Sequence, residues 1–165
     1  MADEVRPVGP VQRRDERRES DRRSAERRAA FDKLGDALVA QYNAFCPLDD
    51  GKTCVNGRLT LGENIGDVGG LSMAYRAYKL ATKGKEVPVI DGLTGDQRFF
   101  LGWAQVWKGM YRPELMQMLL ASDPHSPPEY RVNGVVPNIP AFYEAFNIQP
   151  GDKLYLDPAK RVKIW

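Results

Sequence analysis

The apolar residues of this chain recur three or four apart and nowhere alternate as a half-buried strand would, which confines the fold to the mainly α class. Phe31, Leu34, Leu38, Val39 and Tyr42 share one helical face, so a first helix is expected from about Ala29 to just before Cys46-Pro47. Thr60-Leu-Gly-Glu63 and Thr94-Gly-Asp-Gln97 both have capping-box spacing, in which hydroxyl and N3 side chain each satisfy an unpaired backbone N–H. The second helix should therefore run from Thr60 to about Thr82, where Lys83-Gly84 ends it. The third carries Phe99, Phe100, Trp103, Val106, Trp107 and Met110 and reads as a buried core helix broken at Pro113. Short helical pieces follow over 114–121 and 139–146, and the proline-rich stretch 123–134 between them reads as loop.

Residues 1–28 differ from the rest. The first 30 residues hold nine arginines and seven acids, with no lysine and no aromatic residue. Such a leader has too little to bury to offset its ordering entropy, so it is expected to be disordered or non-native in origin, or a solvated helix laced with pairs such as Glu16 with nearby arginines. An RNA-binding arm is set aside because interspersed acids cancel the field, and the whole-chain charge of +2 is too near neutral to argue for nucleic acid. The 165 residues suit one domain, and no apolar run approaches the roughly 20 residues that span a bilayer. Two cysteines exclude a disulfide-dense scaffold and a four-cysteine zinc site; Cys46 and Cys54 read as a small disulfide loop or two free thiols. A single histidine, His125, excludes any constellation that draws two from this chain.

Glu63 and Asp67 are four apart and so face the same way on a helix. One could bind a metal while the other orients a ligating imidazole; equally, Glu63 could be the capping-box acid and Asp67 a partner of the helix dipole. Gly62, Gly66, Gly69 and Gly70 lie beside that face, each costing about 0.5–1 kcal/mol in a helix interior, which suggests close approach of another backbone. His125 and Arg131 sit six apart in the proline-rich stretch, placed to donate to an oxyanion and to grip a carboxylate. The plainer alternative is an exposed loop histidine and an arginine paired with Glu129 or a carbonyl.

Taken together, three segments resemble the neprilysin-like zinc metallopeptidases. Val55-Asn-Gly-Arg-Leu-Thr-Leu-Gly-Glu-Asn-Ile-Gly-Asp-Val-Gly-Gly-Leu71 is similar to their third-ligand segment, with Gly66 where Glu-Asn-Ile-Ala-Asp is usual. Asp123-Pro-His-Ser-Pro-Pro-Glu-Tyr-Arg131 resembles their histidine–arginine segment, and Arg161-Val-Lys-Ile-Trp165 their C-terminal end. The resemblance implies that residues 29–165 are the C-terminal part of a thermolysin-like catalytic domain that hydrolyses oligopeptides with one zinc ion. Glu63 would then be the third zinc ligand and Asp67 the aspartate that orients a ligating histidine or donates a proton. His125 would stabilise the tetrahedral transition state, and Arg131 would hold the primed side of the substrate.

In this family a glutamate in an H-E-x-x-H helix acts as general base. This chain contains no H-E-x-x-H, so two histidine ligands are missing and the chain alone is expected to be inactive. The alternative is a non-catalytic interaction or structural module derived from the same family. Residues 1 to about 28 are expected to come from a frameshift or a mis-assigned start. The bare glycine-flanked face of the 60–82 helix should favour aggregation or loose packing. Peptide substrate is the implied partner, with no nucleic acid and no membrane segment, and the cysteine pair leans toward an extracytoplasmic compartment.

Overall fold

The computed structural model describes residues 10–164, with side chains from Arg17 onward. Six α-helices follow in order: α1 (Pro10–Asn43), α2 (Leu61–Ala81), α3 (Gly95–Val106), α4 (Pro113–Ser122), α5 (Pro128–Asn133) and α6 (Pro140–Phe146). Single 3-10 turns occupy Asp49–Gly51, Val136–Asn138 and Pro158–Lys160. No strand forms among the described residues, where β pairing is limited to isolated bridges at Leu48/Thr53 and Ile90/Leu93. Two compact units divide within α1, between Lys33 and Leu34.

In the first unit the described residues are helical from Pro10, well before Ala29. Hydrophobic periodicity could not reveal this, because arginine and glutamate are good helix formers with nothing apolar to mark a face. Arg22 pairs with Glu19 and Glu26, and Arg23 with Glu19, all on exposed surface. Phe31, expected on the apolar face, is 38% exposed. The side chain of Glu16, residues 1–9 and Trp165 lie outside the described residues.

The second unit holds the core. Leu38 and Tyr42 from α1 meet Val68 and Leu71 of α2, Phe100 of α3, Leu120 of α4, Val135, Val136, Ile139 and Phe142 around α6, and Val162. Each such side chain, fully buried, contributes about 1.5–3 kcal/mol of transfer free energy. One buried amide knits distant segments together. The Asn138 side chain donates to Gln41 Oε1 (2.9 Å) and Gly134 O (3.0 Å), and its carbonyl oxygen accepts from the Val162 N–H (2.8 Å). Cys46 and Cys54 form a disulfide, one of the two states left open by the sequence, and closing this short loop is worth about 2–3 kcal/mol in the chain-entropy model.

Several helix boundaries depart from expectation. The capping box at Thr94 and Gln97 is present, with Gln97 N–H donating to Thr94 Oγ1 (3.2 Å) and Thr94 N–H to Gln97 Oε1 (2.9 Å). The one at Thr60 and Glu63 is absent. Thr60 is buried, its hydroxyl donating to Asn56 O (3.2 Å) and accepting from Asn64 Nδ2 (2.9 Å). Glu63 is thereby released from capping. Helix α3 stops at Val106 and buries Phe100 alone, leaving Val106 70% and Met110 99% exposed. Gly109 and Pro113 both disfavour its continuation. The proline-rich stretch contains α5, because Pro128 at the first helical position presets the backbone angle a helix needs.

The glycines also divide. A Cβ on Gly57 would lie 2.5 Å from Val39 O, so the chain before α2 passes α1 too closely for any side chain. A Cβ on Gly62, Gly66 or Gly70 would meet nothing within 4 Å. The close backbone approach expected beside these three is therefore not seen. That side of α2 is open, and Met73 and Leu80 on the same helix are 59% and 66% exposed.

Candidate active site

Helix α2 presents its two carboxylates unequally. Asp67 is turned inward with its side chain 7% exposed, whereas that of Glu63, one turn earlier, is 45% exposed. His125 lies in the connection between α4 and α5, and Arg131 in the last turn of α5. The structure brings all four together.

A buried carboxylate needs a partner, and Asp67 finds a bidentate one. Arg131 Nε donates to Asp67 Oδ2 and Nη2 to Oδ1, each at 2.7 Å. Within the protein, Arg131 thus pairs with Asp67 rather than with Glu129 or a carbonyl. The pairing raises the Arg131 pKa, chiefly through the hydrogen bonds to Asp67 and against the opposing effect of burial. The guanidinium also stacks on the Trp107 ring at 3.8 Å, and Trp103 Nε1 donates to the Arg131 carbonyl at 3.0 Å. Trp103 packs against the core as expected and also holds the arginine by its backbone, while Trp107 covers its face.

His125 is oriented by a residue the sequence did not single out. Asp123 Oδ1 accepts from the His125 backbone N–H (2.8 Å) and stands 2.7 Å from ring Nδ1. Those hydrogen bonds, the backbone one first, hold the Asp123 carboxyl below its ordinary range. An ionised Asp123 can only accept, so Nδ1 carries the proton. Nε2 then faces Glu63 Oε2 at 3.3 Å, a contact that attracts when the imidazole carries its second proton. Arg131 Nη2 reaches the same oxygen at 3.6 Å. The Asp123-Pro-His sequence, with an acid two residues before the histidine, is the signal that could have identified Asp123.

Among the described residues no group of three His, Cys, Asp or Glu side chains could hold a metal ion. Glu63 offers a single carboxylate, and the chain's one histidine is committed to Asp123. A zinc site of four donors does not fit these residues alone. No helix among the described residues is long and apolar enough to cross a membrane.

Known proteins share both the sequence and this fold. The family model for Peptidase family M13 matches residues 11–162, beginning inside the arginine-rich leader, so composition does not mark where the resemblance starts. Neprilysin-1 of Caenorhabditis elegans is 41% identical over 140 residues, which cover 82% of this chain and 18% of the relative. Endothelin-converting enzyme 1 of Homo sapiens is 43% identical over 140 residues, covering 82% of this chain and 17% of the relative. The crystal structure of the Mycobacterium tuberculosis zinc metalloprotease ZMP1 with inhibitor superposes at a TM-score of 0.81, with 51% identity over 84% of this chain and 22% of that one. The chain thus spans about a fifth of the length of the relatives it matches.

Proposed function

The chain belongs to peptidase family M13, and from that premise we propose that it forms the C-terminal part of the catalytic domain of a zinc metalloendopeptidase acting on oligopeptides. One observation carries the reading: His125 Nε2 and Arg131 Nη2 converge on a single oxygen of Glu63, at 3.3 and 3.6 Å, from segments far apart in sequence.

Glu63 is the zinc ligand of this chain, and the remaining protein donors come from residues it does not contain. Bound zinc would polarise the scissile carbonyl and activate a water. The residues in hand act around that event. With Nδ1–H held by Asp123, it is the doubly protonated imidazole of His125 that would donate from Nε2 to a developing oxyanion. Arg131 spends Nε and Nη2 on Asp67, leaving Nη1 without a hydrogen bond among the described residues and available to a substrate carbonyl. Asp67 keeps lone pairs beyond the two engaged by Arg131, and these accept the N–H of a ligating imidazole. The disulfide fits an oxidising, extracytoplasmic compartment.

The test is zinc stoichiometry and peptide hydrolysis, measured on the chain alone and after adding a fragment that bears an H-E-x-x-H helix. The chain alone should hold no stoichiometric zinc and cleave nothing. The mixture should bind zinc, and Glu63→Gln should abolish that binding. Chelator-sensitive cleavage by the chain alone would overturn the division of the site; a mixture indifferent to Glu63 would overturn the ligand assignment.

A further inference from the structure

Glu63 and His125 must be held in register by something stronger than their own contact. Their side chains are 45% and 47% exposed and 3.3 Å apart, and an exposed ion pair of that kind is worth little. The residues that follow each of them in sequence are buried. Asn64 is 1% and Ser126 3% exposed, and Ser126 Oγ donates to Asn64 Oδ1 at 2.7 Å. The amide is committed on its other side, where Nδ2 donates to Thr60 Oγ1 at 2.9 Å. Thr60 Oγ1 in turn donates to Asn56 O at 3.2 Å. The relay has one direction, from Ser126 through Asn64 and Thr60 to the backbone before α2. A flipped amide would take the Thr60 hydroxyl as its donor and so cost that hydroxyl its bond to Asn56 O.

We propose that Asn64 and Ser126 are positioning residues whose hydrogen bond sets the distance between His125 and Glu63. The bond joins the neighbour of one site residue to the neighbour of the other, so it fixes the two backbones where the half-exposed side chains cannot. Its value to catalysis rests on the peptidase reading, but the geometric claim does not.

The lone histidine makes the claim measurable without metal or peptide. Carbethoxylation by diethyl pyrocarbonate, followed by mass spectrometry of the His125 peptide, reports how freely the imidazole leaves Asp123 and Glu63. Ser126→Val and Ser126→Thr have the same shape and differ in the hydroxyl. Ser126→Val and Ser126→Ala should each react about fivefold faster than the unaltered chain, the factor expected for one lost hydrogen bond, and Asn64→Ala, which loses two, at least as fast. Ser126→Thr should react at the original rate, and helical circular dichroism should stay unchanged throughout. Equal rates for Ser126→Val and Ser126→Thr would overturn the proposal. So would an unaltered rate in Ser126→Ala, or loss of helical signal in that variant, which would make the bond a general support of the fold. Should Ser126→Val or Asn64→Ala lose helix, the Ser126→Ala rate decides. A failed zinc reconstitution leaves this result standing, so the two readings can fail separately.

Discussion

Two arginine–carboxylate forks in this molecule are almost the same object in different surroundings. In the first unit Arg22 reaches Glu19 through Nε and Nη2, at 3.0 and 2.7 Å, with side chains 59% and 40% exposed. In the second, Arg131 reaches Asp67 through the same two nitrogens at 2.7 Å each, with side chains 12% and 7% exposed. Geometry does not distinguish them; burial does. The exposed pair exchanges water for a partner at nearly no net gain, whereas the buried pair has no water to fall back on.

The largest consequence should appear at Asp67. Asp67→Ala removes both short hydrogen bonds from the Arg131 guanidinium, leaving it only the 3.6 Å contact with half-exposed Glu63, and is expected to cost about 3–5 kcal/mol in urea unfolding at low protein concentration. Adding Arg131→Met should return much of that loss, because an apolar pair needs no solvation. A cost for Asp67→Ala as small as that of a surface pair would break the contrast.

Asp123 and His125 supply the intermediate case, with side chains 30% and 47% exposed. The Asp123 pKa is lowered in the folded state, so its contribution is fully present above the ordinary aspartate value of about 3.9 and disappears as the pH falls through the lowered value. The stability difference between the unaltered chain and Asp123→Asn should therefore be constant near neutrality and shrink on acidification below about pH 4. A difference that grew toward acid would reverse the assignment. The smallest effect belongs to Glu19→Ala, a loss at the edge of detection by helix melting and erased by salt. A larger, salt-resistant loss there would mean that the first unit is less exposed than its arginines suggest.

What the sequence disclosed follows the reach of each interaction. Thr94 with Gln97 and Thr60 with Glu63 carry the same spacing, yet only the first pair forms a capping box. The Thr94 box is local and half-solvated, so spacing sufficed. Thr60 is buried, and its hydroxyl is taken by Asn56 and Asn64. Glu63, Asp67, His125 and Arg131 were legible as a set because their motifs stand in order along the chain. The Asp67–Arg131 bond was not, since no local rule selects a partner from another helix over the nearby Glu129. Nor were Asn64 and Ser126, whose joint role exists only once α2 and the 123–127 connection are packed. The helical first unit gave no apolar periodicity, and of the readings open for it the described residues match the solvated helix laced with arginine–glutamate pairs.

The open side of α2 has one more consequence, in time rather than in energy. Gly62, Gly66 and Gly70 put no side chain over the backbone beside Glu63, and nothing stands within 4 Å of where one would be. Those amides are the ones that solvent can reach during brief openings, while the opposite side, carrying Asn64, Val68 and Leu71, is sealed by the core. In hydrogen exchange α2 should thus read as two clocks on one helix, fast along the glycines and slow along the buried stripe. The carboxylate assigned to zinc stands on the seam between them.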